Sequence, residues 1–450
     1  VTRRLRGAAL ACAVAVGLAA PAAAETVTLS LDAARETARA ALAARSPAAA
    51  RMLALGLLAA NPADADAQAI LAVAAIQSGD PAAGAEAARA VWRHATSPAL
   101  RFEGAMLAAE GLARAGRPHA AQLWLRRAID AAPDPVARRT AIAGHRAIAA
   151  ASPLSARLIF SIAPSSNVNN GSRHEIVTIG TLPFAVAPAA RAIPGGSVTA
   201  GAQVGLRLAQ AARSRTDLVA TAVTRQVWFN AAVPGMAPGD LGQIALEMGV
   251  FHRRGLKGGA GLVTLGAEGG RVWQGGRVLA DTLRLEAAVD RRLSPGTVAG
   301  LTAAGEVHWR QDDPRRSALI GTLSARALRE GAAWGDARLV AELRQTWSEA
   351  PDVHNTAVGL RLHWTPPRPV EGARIDFGIG AEGRHYAPTA LAPGGRQDLR
   401  LDARAAIHLL AAARFGFAPT IDLRWSRTVS TVRIFETTDF GIGIGFRSVF

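Results

Sequence analysis

The chain has 450 residues, half of them hydrophobic and 19% charged, which excludes wholesale disorder and leaves room for two ordinary domains. Its 45 glycines and 24 prolines show no collagen-like period, and a single cysteine, Cys12, excludes a disulfide framework and thiolate metal sites. The formal charge of +16 comes almost wholly from arginine, with Lys257 the only lysine; it is spread along the chain, so nucleic-acid binding is not indicated.

Arg3, Arg4 and Arg6 precede the uncharged stretch Gly7–Ala20, which is followed by Pro21 and Ala22-Ala23-Ala24. A basic start, a short apolar core and an A-x-A site predict a secretory signal over 1–24, cleaved before Glu25. No other uncharged run reaches the ~20 residues that a spanning helix needs.

Residues 25–153 read as a helical domain. Alanine and leucine dominate, and Pro or Gly punctuates the segment at Pro47, Asn61-Pro62, Gly79-Asp80-Pro81, Pro98, Gly116-Arg117-Pro118 and Pro133. Ile70–Ala95 matches Met106–Ala132 at an offset of 37 residues, with Trp92 opposite Ile129. The pieces are similar to tetratricopeptide-type helix pairs, modules that bind peptide segments or partner proteins.

From residue 154 to 450 the period changes to two. Leu279, Leu283, Leu285, Ala287 and Val289 alternate with Thr282, Arg284, Glu286, Ala288 and Asp290. Leu399, Leu401, Ala403 and Ala405 alternate with Arg400, Asp402 and Arg404. A soluble sandwich and a transmembrane barrel both fit alternation. Strands of roughly 10–14 residues exceed the usual soluble length of about 5–6 and suffice to cross a bilayer when tilted. Fourteen candidate strands follow one another, an even number, as single-chain bacterial barrels require. The longest connection is Pro164–Gly196.

The predicted fold is therefore multi-domain α and β: helical repeats followed by a transmembrane antiparallel β-barrel of about 14 strands. Trp228, Trp309, Trp347 and Trp425 are placed at one rim, Trp334 and Trp364 at the other, as interfacial rings require. Arg284, Glu286, Arg338, Glu342, Arg344, Arg400, Asp402 and Arg404 are predicted to give the lumen a wet, mixed-charge wall. The last strand carries Phe440, Ile442, Ile444, Phe446, Ser448 and Phe450 on one face. Phe446 and the terminal Phe450 resemble the address read by the barrel assembly machinery.

The sequence has no G-x-x-x-x-G-K loop, no H-E-x-x-H and no G-x-S-x-G, and its ten histidines are dispersed. Asp312-Asp313 reads as a pair of solvated turn aspartates before Pro314. No spacing nominates a Ser–His pair. No catalytic, metal or cofactor site is predicted.

The first strand leads into a polar loop, Pro164-Ser165-Ser166-Asn167-Val168-Asn169-Asn170. Helical repeats followed by a barrel that opens with a P-x-S-N-x-N segment, here Pro164, Ser166, Asn167 and Asn169, resemble the surface lipoprotein assembly modifiers of Gram-negative bacteria, or type XI secretion. The resemblance covers nearly the whole of 25–450, and Ser165 stands where an acidic residue is expected. It implies a non-enzymatic outer-membrane protein that moves lipoproteins, or related soluble cargo, to the cell surface, with its repeat domain in the periplasm. Its partners would be a cargo lipoprotein or small secreted protein, the barrel assembly machinery and outer-membrane lipids. The competing readings are a repeat-bearing porin or polysaccharide exporter, and a barrel enzyme.

Overall fold

The computed structural model describes residues 29–179 and 181–448; the predicted signal over 1–24 and Phe450 lie outside the described residues. Seven helices come first: α1 (Leu31–Ala43), α2 (Pro47–Ala60), α3 (Ala65–Gln77), α4 (Pro81–His94), α5 (Pro98–Arg114), α6 (Pro118–Ala131) and α7 (Pro135–Ala151). The sequence breaks are the helix ends. Proline opens five of these helices, α2 and α4 to α7, at a first-turn position where its missing N–H costs no hydrogen bond. Asp64, Asp80, Ser97 and Asp134 accept hydrogen bonds from the first-turn amides of α3, α4, α5 and α7.

Each helix packs on the next, and α1–α3 and α3–α5 also touch, so the helices stack. The repeat at 37 residues falls on the pairs α3–α4 and α5–α6. Small residues let these helices approach closely. A Cβ at Gly111 would lie 2.7 Å from the Pro81 carbonyl oxygen. Leu112, Ile129 and Val91 are the largest fully buried side chains, and Trp92 meets Trp124 edge-on at 5.8 Å.

The strands are β1 (Leu154–Ser165), β2 (Ile176–Ile179), β3 (Leu182–Ala185), β4 (Gly195–Ala211), β5 (Ser214–Phe229), β6 (Gln243–Gly255), β7 (Gly261–Gln274) and β8 (Arg277–Ser294). Then follow β9 (Thr297–Arg310), β10 (Ala318–Ala332), β11 (Gly335–Ser348), β12 (Asn355–Thr365), β13 (Ala373–Tyr386), β14 (Gln397–Leu409), β15 (Phe417–Ser430) and β16 (Thr437–Ser448). All but β2 and β3 close into one antiparallel barrel of fourteen strands, each paired with its barrel neighbours in sequence and β1 with β16. The fourteen strands are those that the period of two predicts. The β2–β3 hairpin sits inside the long connection between β1 and β4 and was not predicted.

Because α7 ends at Ala151 and β1 starts at Leu154, the helices lie at the end of the barrel where β1 begins and β16 finishes. Three turns at this helix-proximal end have two residues, 212–213, 295–296 and 333–334, and the longest connections, 166–194 and 230–242, lie at the distal end. The distal β7–β8 turn also has two residues. Gly275 and Gly276 both have positive φ there, 58° and 77°, as a two-residue hairpin turn demands.

The apolar face of the strands points outward and stays uncovered by protein. Leu158 is 82% exposed and Phe446 61%, and Leu246, Leu285, Leu343, Ile379 and Ile442 are also exposed. An apolar belt of this extent is matched by lipid, not by a protein core. Trp228, Trp309 and Trp347 lie near the distal strand ends, and the Trp364 indole donates to the Trp334 carbonyl oxygen at the proximal end (2.9 Å). Trp425 corrects the prediction: β15 continues past it to Ser430, so it sits inside the strand and not at its end.

The closing seam is uneven. β1 pairs with β4 along its whole length from Leu154 to Ser165, but with β16 only at Ser161–Gly445, Ile162–Ile444 and Ser165–Gly441. Pro164 has no N–H to give to this ladder, and Gly441, Gly443 and Gly445 leave β16 without side chains on its inner face beside it.

Candidate functional site

Every lumen residue nominated from the sequence lies on the inner face of its strand. The wall carries both signs, with the excess of each sign on a different side. One sector carries Glu247 on β6, Glu268 on β7, Glu286 on β8 and Glu306 on β9, with Arg284 bridging Glu306 at 3.2 Å and Glu286 at 3.4 Å. His308 adds a 2.5 Å contact to Glu306. Gly249 and Gly266 stand directly opposite Glu268 and Glu286, leaving space for the longer side chains.

The facing sector, β11 to β15, is rich in arginine. Arg344 reaches Glu342 at 3.4 Å and Glu382 at 3.2 Å, and Glu382 also pairs with Arg384. Arg361 pairs with Asp402 at 3.4 Å, and Arg404 pairs with Asp422. Arg338 stands opposite His363, and Arg404 stands directly opposite Arg424. Arg284 and Glu286 thus lie in a sector with more glutamates, and Arg338, Glu342, Arg344, Arg400, Asp402 and Arg404 in one with more arginines. The wall is mixed, as expected, but the balance of sign differs between the two sectors. The sign of each sector depends on which strands end up neighbours and in what register, which the alternation within one strand does not encode.

The Asn-rich loop folds into the distal half of this lumen. Asp439 on β16 gathers it: its carboxylate accepts hydrogen bonds from the Ser165 hydroxyl (2.7 Å), the Ser166 hydroxyl (3.2 Å) and the Asn167 amide (3.1 Å). The buried Asn167 side chain closes on its own loop, accepting from the Gly171 amide at 2.8 Å and donating to the Gly171 carbonyl at 2.9 Å. Asn169 donates to the Arg191 carbonyl (2.7 Å) and accepts from the Ile193 amide (3.0 Å), tying the start of the connection to its end. Pro164 ends the regular seam and Ser166 hydrogen-bonds Phe440 through both its amide and its hydroxyl. The four motif residues are brought together here. Asp439, which holds them, was not nominated, since one acid in the last strand gives no local signal.

Two cavities lie on either side of this loop. One of about 690 Å³, at mid-lumen, is bounded by Asn167, Val168, Arg225, Arg361, Arg400 and Arg424. The other, about 410 Å³, is distal and bounded by Asn169, Asn170, Tyr386 and Arg396. Arg396 is held between the Tyr386 and Phe435 rings, 3.7 and 3.8 Å from their centroids. The loop therefore divides the lumen and narrows it.

At the proximal mouth, α6 docks on the turn between β14 and β15. Arg126 donates to the Phe415 carbonyl (3.2 Å) and to the Ser448 hydroxyl (3.3 Å), and its guanidinium lies 4.3 Å from the Phe417 ring centroid. Asp130 accepts from the Phe415 amide at 3.3 Å. Phe415 has φ 51°, rare for a bulky residue, with both of its backbone polar groups taken by α6. Arg207 of β4 donates to the Ala150 carbonyl at the end of α7 (2.7 Å). His145 is buried nearby, and burial together with Arg126 and Arg146 lowers its pKa to about 4, so it is neutral at pH 7. None of these contacts was visible in the sequence.

Of the remaining nominations, Phe446 faces outward on β16. Asp312 and Asp313 sit in the distal β9–β10 turn, Asp312 paired with Arg310 at 2.6 Å and Asp313 accepting from the Arg315 amide at 3.2 Å.

Fold, belt and lumen define a transmembrane β-barrel, the architecture of bacterial outer membranes, with a helical domain docked at one mouth. No family model matches the chain, and no curated protein matches its sequence. Among solved structures it is similar to a bacterial polysaccharide outer membrane secretin, at 10% identity, over 65% of this chain and 98% of that one, with a TM-score of 0.33. It is similar to OprD of Pseudomonas aeruginosa at 8% identity, over 66% and 96%, with a TM-score of 0.35. With OprB of Pseudomonas putida the values are 8%, 68% and 96%, and a TM-score of 0.38.

Proposed function

We propose that this chain is an outer-membrane translocation protein that moves or assembles surface lipoproteins, or related soluble cargo proteins, without covalent chemistry. The single observation that carries this reading is the docking of the helical stack on the barrel's short-turn mouth through Arg126, Asp130 and Arg207. Short turns face the periplasm in bacterial barrels, so the helices lie on the side from which cargo arrives. Tetratricopeptide-like stacks present extended surfaces to peptide segments, and one fixed at a pore mouth raises the effective concentration of whatever it holds there. A cargo lipoprotein or small secreted protein is thus the partner in the periplasm, outer-membrane lipid the partner of the belt, and the barrel assembly machinery the partner during insertion. The lumen provides a polar path, and the Asn-rich loop keeps that path narrow at rest.

The test is surface proteomics of cells with and without this gene. The expected result is the loss of one or a few proteins from the surface, with their periplasmic pools retained or raised. An unchanged protein surface, with reduced uptake or export of a sugar or polysaccharide, would instead establish the porin or exporter reading.

A further inference from the structure

The mid-lumen cavity has an excess of positive charge that the protein does not neutralise. Its carboxylates are already engaged: Asp402 by Arg361 at 3.4 Å, and Asp439 by the Ser165 and Ser166 hydroxyls and the Asn167 amide. Asp422, beside it, is taken by Arg404. Three further guanidiniums line the same space, Arg225, Arg400 and Arg424, and none of them makes an ion pair among the described residues. Arg225 reaches only the Val168 carbonyl, at 3.4 Å. Like charges placed directly opposite on adjacent strands destabilise a sheet, yet Arg404 and Arg424 are so placed, with both side chains turned inward. Four further carboxylates, Glu247, Glu268, Glu286 and Glu306, lie on the opposite wall, out of reach of these three guanidiniums.

We propose that the cavity beneath the Asn-rich loop is a binding site for a small multivalent oxyanion of the phosphate class, held by Arg225, Arg400 and Arg424. Guanidinium forks match phosphate oxygens in a bidentate geometry, and three that converge from β5, β14 and β15 favour a ligand bearing more than one negative charge over chloride. The volume of about 690 Å³ is that of a small-molecule site and exceeds what one inorganic ion fills. Val168, buried in the loop that roofs it, closes the cavity on its distal side.

The experiment is calorimetric titration of sodium pyrophosphate into the full chain in detergent at low ionic strength, with sodium chloride as the control. Saturable binding is expected for pyrophosphate and none for chloride at the same charge concentration. The triple variant R225Q/R400Q/R424Q should weaken binding at least tenfold, whereas Arg284→Gln in the sector with more glutamates should leave it unchanged. Heat-modifiable migration on a denaturing gel checks that the triple variant is folded. If it is not, Arg400→Gln alone, which breaks no ion pair, should weaken binding several-fold, and Arg400→Lys should restore only part of the loss. No pyrophosphate binding to the wild-type chain, or equal binding to the folded variants, overturns the proposal.

Discussion

Asp439→Ala is expected to raise the single-channel conductance of the purified protein in planar bilayers several-fold. One carboxylate holds three donors of the Asn-rich loop, the Ser165 and Ser166 hydroxyls and the Asn167 amide, between 2.7 and 3.2 Å away. Hydrogen bonds to a charged acceptor contribute about 1.5–3 kcal/mol each, and the half-buried Ser165 hydroxyl would lose its carboxylate acceptor. The bonds that remain between loop and wall are to neutral groups: Asn167 donates to the Thr438 carbonyl (3.2 Å), and Ser166 exchanges hydrogen bonds with the Phe440 backbone. Asp439→Asn, which keeps an acceptor but loses the charge, should fall between the two. An unchanged conductance in Asp439→Ala would mean that Asn169 and the β2–β3 hairpin hold the loop in place by themselves, and that Asp439 is not its anchor.

Arg126→Ala should release the helical stack from the proximal mouth. It removes two hydrogen bonds, to Phe415 and Ser448, and the cation–π contact with Phe417. A charged hydrogen bond of about 1.5–3 kcal/mol and a cation–π contact of roughly 0.5–2 kcal/mol together shift the docked-to-undocked ratio by on the order of a hundredfold. Limited proteolysis at the junction 152–153 should read this as faster cleavage. His145 provides an independent readout. Its pKa, about 4 in the folded chain, lies below the ordinary value of 6.5, first through burial and then through Arg126 and Arg146. The unfolded state therefore takes up a proton that the folded state refuses, and stability is lost as pH falls from 6.5 toward 4. Removing Arg126 takes away one of those positive neighbours, so the His145 pKa should rise in the variant, as histidine NMR would show. Unaltered cleavage together with an unmoved His145 would place the docking energy elsewhere, at Asp130 and Arg207.

The parts of the molecule that repeat along the chain were legible in the sequence. Alternation in segments such as Leu399–Ala405 marks strands, since a period of two places every second residue on one face. Prolines and capping acids such as Asp80-Pro81 mark the helix starts. What was not legible depends on register between segments far apart in the chain. Asp439 meets Ser165 only because β16 closes on β1, and Glu268 joins Glu286 and Glu306 only because β7, β8 and β9 align. Arg126 looks like any surface arginine of α6 until the β14–β15 turn is beneath it. The β2–β3 hairpin escaped for a different reason: Ile176–Ile179 and Leu182–Ala185 are too short for alternation to stand out.

The most direct measurement is delivery by a chain lacking residues 25–150. The barrel is closed by its own fourteen-strand ladder, and among the described residues the helices bond to it at its proximal rim, so the truncated chain should still insert and migrate faster unheated than boiled. Flow cytometry then follows a surface protein that depends on the intact gene. The amount of that protein at the surface should fall close to the level in cells lacking the gene, with the barrel present in normal amount. Delivery equal to that of the full-length chain would contradict the role assigned to the helical stack, and with it the reading of this barrel as a translocator fed from its docked domain.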